Sequence, residues 1–145
     1  TEHLMEKVRL YRPATRFARE LYAPALHRPA STQWLAQDYQ TALHTYDRVI
    51  ILAEPEAEEA RHQTAWLTRL VVEADKHDDG LQRTVFQLNA YNPHRSRWVR
   101  PGKLTGRIEA LREAGARHIA YRSDDFVVNR PQAHSIATYF ALQKR

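Results

Sequence analysis

The sequence has no cysteine, which excludes disulfides, thiolate zinc sites and cysteine nucleophiles but leaves the compartment open. Glycine is scarce: only Gly80, Gly102, Gly106 and Gly115 occur, and none directly follows a strand-like apolar run. The glycine-rich turn with which doubly wound folds hold nucleotides is therefore missing. Long apolar runs are absent too, and nothing approaches the roughly 18 uncharged residues that a membrane-spanning helix needs. Thr1-Glu2-His3-Leu4 opens straight into a charged amphipathic segment, unlike a secretory signal, so the chain is expected to be cut from a longer one.

What is present describes a folded domain. The 145 residues are 43% hydrophobic and 27% charged, enough to bury a core and too apolar for disorder. The formal charge of +5 brings nucleic acid into consideration. However, the arginines are spread along the chain and interleaved with Glu58-Glu59, Asp78-Asp79 and Asp124-Asp125. Nucleic-acid binding leaves clustered basic faces, so no nucleic-acid partner is expected.

Short apolar or β-branched segments predict strands at 16–22, 48–53, 84–89 and 118–121. Arg48 to Ala53 is nearly continuous in apolar residues, which suits a parallel strand covered on both faces. Helical periodicity fills the intervals. Leu4, Val8 and Tyr11 mark the first helix, and Leu35, Tyr39, Ala42, Leu43 and Tyr46 the second, entered through Ser31-Thr32 as caps. Leu67, Leu70, Val71 and Ala74 mark the third, after an acidic first turn at Glu56 to Glu59. Leu104, Ile108 and Leu111 mark the fourth, with Gly115 placed to end it, and Ser135 to Leu142 forms a short closing helix.

Strand starts at Arg16, Arg48, Thr84 and His118 are 32, 36 and 34 residues apart. That step is close to the roughly 31 residues per unit of a 250-residue barrel. The expected fold class is α/β: four consecutive βα units with parallel strands, resembling the second half of a TIM (β/α)8 barrel. The rival is an open doubly wound sheet without a nucleotide site.

In parallel βα folds the reactive groups collect where strands end. This selects Tyr22, His27 and Arg28 after the first strand, and Glu54 and Glu56 after the second. Asn89, Tyr91, Asn92, His94, Arg97 and Trp98 follow the third, and Tyr121, Arg122, Asp124 and Asp125 the fourth. Carboxylates, aromatics and amides without a nucleophile motif form the inventory of a sugar site, in which aromatic faces cover C–H surfaces and carboxylates bind hydroxyls or work as acid and base. Each residue has a plainer reading: Asp124-Asp125 as a turn or helix cap, Glu54 as the partner of a neighbouring arginine, Trp98 as a loop anchor. Trp34 and Trp66 begin amphipathic helices and read as core. The eight histidines show no zinc-ligand spacing, so no metal site is expected in this chain.

Several strings resemble one family in order along the whole chain. They are Phe17 to Pro24 with Trp34-Leu35-Ala36-Gln37, then Thr45-Tyr46-Asp47 leading into Val49 to Pro55. Thr84 to Leu88 follows, and then Gly115 to His118 with Tyr121 and Asp124-Asp125-Phe126. The sequence is similar to the poly-β-1,6-N-acetylglucosamine N-deacetylases (PgaB/HmsF type). It departs from their pattern at Glu54 and Glu56, where a methionine and an aromatic residue are expected.

The resemblance implies a single domain over 1–145, the latter half of a C-terminal glycoside-hydrolase-like barrel whose upstream deacetylase domain is absent. The divalent metal belongs to that missing domain, and no cofactor is implied for this chain. The principal acid of the hydrolase would also lie upstream of Thr1, which leaves this part without a complete catalytic apparatus. Implied glycan-binding residues are Tyr22, Glu54, Tyr121, Asp124, Asp125 and Trp98. The partner is the poly-β-1,6-N-acetylglucosamine polymer, with an outer-membrane exporter and a homodimer covering exposed sheet edges as further expectations. The implied location is the bacterial periplasm or outer membrane, in biofilm polysaccharide processing. An acidic groove of Glu54, Asp124 and Asp125 would attract a partly deacetylated, cationic polymer despite the net positive charge. The alternative is a non-catalytic polysaccharide-binding or export-scaffold module.

Overall fold

Runs such as Arg48-Val49-Ile50-Ile51-Leu52 suit a pleated, well-covered strand, and the computed structural model pairs four of them side by side. The structure describes residues 1–28, 38–125 and 127–141. Along the chain come α1 (Glu2–Tyr11), β1 (Ala18–Tyr22), α2 (Pro24–His27), α3 (Tyr39–Thr45), β2 (Arg48–Leu52), α4 (Gln63–Asp75) and α5 (Gly80–Arg83). There follow β3 (Thr84–Asn89), β4 (Tyr91–Asn92), β5 (Arg97–Trp98), α6 (Pro101–Glu113), β6 (His118–Arg122) and α7 (Ala133–Ala141). The expected Ser31-Thr32 caps, Trp34 and Leu35 lie outside the described residues, as do Phe126 and Leu142.

The sheet runs β1-β2-β3-β6, and every pair in it is parallel. Strand order follows chain order without reversal, so among the described residues there is no switch point of the kind that defines a doubly wound sheet. Consecutive parallel strands joined by right-handed crossovers carry their helices on one side, which is how barrel units are laid down.

The register makes the two faces of the sheet different. Leu21, Ile51, Phe86 and Ile119 are level with one another and buried against the helices. One residue further along, Tyr22, Leu52, Gln87 and Ala120 form a row on the opposite face. Leu67, Leu70, Val71 and Ala74 of α4 and Leu104, Ile108 and Leu111 of α6 complete the covered side. Thr84 can be fully buried there because its hydroxyl shares a 2.6 Å hydrogen bond with the Tyr39 phenol.

At the strand starts, Asp47 accepts hydrogen bonds from the Phe17 N–H at 2.8 Å and from Arg9 Nη2 at 3.0 Å, which ties α1 and the entry to β1 onto β2. The Phe17 N–H, aided by Arg9, holds the Asp47 carboxyl below the usual carboxylate range. Two glycines are required locally. A Cβ on Gly80 would run into the Ala74 carbonyl, and Gly115 ends α6 with φ of 102°.

Three sequence expectations change. Helix α1 forms, but Leu4 and Tyr11 are 65% and 88% exposed, and Met5 is the buried residue. The periodicity fixed the helix but not which side packs. The Glu56 to Glu59 run is a loop, because α4 begins only at Gln63 and the Glu56 carboxylate is taken by α6 instead. The stretch after β3, expected as a polar loop, contains the β4–β5 hairpin around the 3-10 turn Pro93–Arg95, with the Asn92 side chain accepting from Arg95 N–H at 3.2 Å.

Candidate functional site

The C-terminal ends of the strands define the candidate site. Beyond β2 the chain passes through buried Ala53, whose N–H donates to the Gln87 carbonyl at 2.8 Å. Glu54 then turns to the open face and forms an ion pair with Arg122, the last residue of β6. Arg122 is level with Asn89 of β3, so the pair reaches across the end of that strand. Gln87 lies one row below, with its amide 3.5 Å from a Glu20 carboxylate oxygen. Tyr22 ends β1 in the same row as Gln87 and is 54% exposed. The open face thus brings together Tyr22, Glu20, Glu54, Gln87, Asn89 and Arg122. Glu20 and Gln87 did not stand out in the sequence, and Arg122, selected at the end of its strand, was not among the implied glycan-binding residues. Period-2 alternation in β1 and β3 was the signal that could have found the first two.

Tyr121 lies elsewhere. Its register partner is Leu88, a core residue, and it packs against the core beside Ile119 and the Ala133 and Ile136 side of α7. Successive strand residues point to opposite faces, so Tyr22 and Tyr121 are not brought onto one surface. Asp125 accepts hydrogen bonds from the N–H groups of Val127 and Val128 at 3.0 and 3.2 Å, which holds the turn after β6. Asp124 is exposed beside it.

The loops after β2 and β3 enclose a cleft of about 600 Å³ with the first turn of α6. Trp98 lines it, set edge-on to Tyr91 with ring centroids 5.4 Å apart at 74°. Across the cleft Glu56 receives hydrogen bonds from Lys103, at 3.3 Å, and from Arg107. Burial alone would raise the Glu56 carboxyl, but the Arg107 hydrogen bond and charge, with help from Lys103, outweigh it and hold Glu56 low. Arg107 is only 4% exposed and also donates to Gln63 Oε1 at 2.7 Å. Sequence reasoning missed it. The available signal was an arginine three residues after Leu104, inside the apolar stripe of α6.

Among the described residues, no three histidine, aspartate or glutamate side chains are grouped so as to hold a metal ion. No described helix is long and apolar enough to cross a membrane.

A parallel run of βα units with polar side chains gathered at the strand ends is how (β/α) barrels are built, and the chain belongs to the family described as hypothetical glycosyl hydrolase family 13, whose model matches residues 1–122. It is similar to the poly-beta-1,6-N-acetyl-D-glucosamine N-deacetylases of Escherichia coli strains K12 and O157:H7, with 26% identity to each over 152 aligned positions. These alignments take in 97% of this chain but 22% of the relatives' length. It is also similar to the solved PgaB (BpsB) glycoside hydrolase domain from Bordetella bronchiseptica, with 30% identity and a TM-score of 0.87. That match covers 99% of this chain and 40% of the solved one. The family resemblance and the four parallel βα units expected from sequence are both borne out.

Proposed function

We infer that this chain is the strand-end, glycan-facing part of a glycoside-hydrolase-type barrel in an enzyme that processes the biofilm polysaccharide poly-β-1,6-N-acetylglucosamine. The observation that carries this reading is the match of 99% of the chain to a solved glycoside hydrolase domain, with a TM-score of 0.87. The barrel reading extends to neighbouring units. Among the described residues β1 and β6 each pair on one side only, and Tyr22 on the open face is 54% exposed. Further strands would close the barrel over that face; a second copy of this chain covering the edges is the other solution. The whole enzyme would act in the bacterial periplasm, beside an outer-membrane exporter, with any divalent metal confined to a deacetylase domain.

In this reading the polymer lies across the strand ends. Tyr22 offers an aromatic face, and Glu54 and Asp124 favour glucosamine units that carry a free amine. Asp125 and Tyr121 shape the rim from behind, and Trp98 stands at the border with the neighbouring cleft. One observation favours binding over cleavage within this part. Glu54 is engaged by Arg122, Glu56 by Arg107 and Asp125 by turn amides, which leaves Asp124 as the least committed carboxylate among those named for the site.

Calorimetry with defined β-1,6 glucosamine oligomers tests the reading. Saturable binding is expected, and Glu54→Gln with Asp124→Asn is expected to weaken deacetylated oligomers about tenfold more than fully acetylated ones. Equal losses for both would defeat the acidic groove, and no binding of either would defeat the glycan reading. Product analysis of the same mixtures separates the roles: turnover supports an enzyme, and binding without cleavage supports a module.

A further inference from the structure

The cleft beside Trp98 has a charge pattern opposite to that of the acidic groove. Arg95, Arg97, Arg100 and Lys103 line it, against the carboxylates Glu56 and Glu59. Glu56 is already engaged by Lys103 and the buried Arg107. Arg95, Arg97 and Arg100 are exposed and form no ion pair among the described residues. The cleft therefore holds a surplus of positive charge that Glu59 alone does not balance.

The backbone adds to that surplus. Helix α6 starts at the cleft with Arg100 as its N-cap and Pro101 as its first residue. The Lys103 and Leu104 N–H groups donate to the Arg100 carbonyl, which leaves the Gly102 N–H without an acceptor among the described residues. The positive end of the helix dipole thus opens beside Arg100 and Lys103.

Arg107 fixes two groups of the cleft wall. It follows Lys103 by four positions and Arg100 by seven, so the three share one face of α6. Its Nη2 is spent on Glu56 and Gln63, both of which line the cleft, and its buried Nε and Nη1 have no acceptor among the described residues. Finally, the volume of about 600 Å³ suits a pyranose-sized ligand, and Trp98, steadied by Tyr91, provides an aromatic surface for it.

We propose that this cleft binds an acidic saccharide unit, with its ring against Trp98 and its carboxylate or phosphate among Arg95, Arg97, Arg100 and the first turn of α6. The site is separate from the amino-sugar groove, because these cations repel a polymer bearing free amines. Sugar and anion act together here, and neither alone satisfies the cleft.

The test is calorimetric titration of the protein with glucuronic acid, N-acetylglucosamine 6-phosphate, N-acetylglucosamine and inorganic phosphate. At least one acidic sugar is expected to bind at least about tenfold more tightly than both the neutral sugar and inorganic phosphate. Preference between glucuronic acid and the sugar phosphate identifies which anion the site takes. Arg97→Gln with Arg100→Gln, both exposed positions, is expected to lower that affinity at least about tenfold, leave the melting temperature unchanged and leave binding of deacetylated β-1,6 oligomers unweakened. The proposal fails if N-acetylglucosamine binds as tightly as the acidic sugars, or if neither acidic sugar saturates. It fails equally if the double variant keeps full affinity, or if inorganic phosphate alone binds as well as the sugar-borne anion.

Discussion

The two faces of the sheet are made from the same strands, yet they follow different rules. On the helix side Leu21, Ile51, Phe86 and Ile119 lie level and buried, and one tolerated polar group, Thr84, is bonded to Tyr39. On the other side, beside Ile50, Leu52 and Val85, lie Glu20, Tyr22, Gln87, Asn89 and Arg122, with polar ties in the Glu20–Gln87 and Glu54–Arg122 contacts. Burial selects for shape on the first face, whereas the second keeps charges that can exchange partners. Stability should therefore reside on one face and recognition on the other.

The sharpest way to break that division is to damage the helix side. Phe86→Ala empties a fully buried position between Ile51 and Ile119, and a loss of about 3–5 kcal/mol is expected in urea unfolding. Glu56→Gln is next, because it leaves buried Arg107 without its counter-charge. About 2–3 kcal/mol is expected, below the range for fully enclosed pairs since Glu56 keeps some contact with solvent. The same pair sets an acid limb. The folded-state Glu56 carboxyl titrates below its unfolded value, so its contribution is complete above about pH 4.3 and disappears as pH falls through the lower folded value. Urea midpoints measured from pH 6 down to about pH 3 should show this limb flattened in Glu56→Gln.

Tyr39→Phe is a smaller cut into the same side. It removes the partner of the Thr84 hydroxyl, and about 1–2 kcal/mol is expected. The open face should respond least in stability. Glu54→Gln breaks an ion pair whose arginine side chain is 42% exposed, and unfolding should shift by less than about 0.5 kcal/mol. The same substitution should cost affinity for deacetylated oligomers, so a large stability loss without a binding loss would overturn the division of labour.

Much of the architecture was legible in the sequence. The four strands appear within a few residues of their expected positions, because β-branched runs bounded by helical periodicity have few other ways to pack. Gly115 ends α6 as its place predicted, since a left-handed residue there favours glycine. The candidate site was legible only in part. Tyr22 and Glu54 were selected by their place after strands, but Arg122, Glu20 and Gln87 as partners depend on register across strands distant in sequence. Trp98 could be named, whereas the hairpin that orients it and the cleft it lines could not.

By itself, the sequence determined the alternation of strand and helix, the parallel class and the family, because local periodicity and ordered strings suffice for these. Only the tertiary structure decided that Tyr22 and Tyr121 occupy opposite faces, that Arg107 lies buried under Glu56, and that three arginines without an ion pair among the described residues share one cleft. Those outcomes depend on register and on which loops meet in space, and a one-residue shift in pairing reverses a side chain's face without altering the pattern that forms the strand.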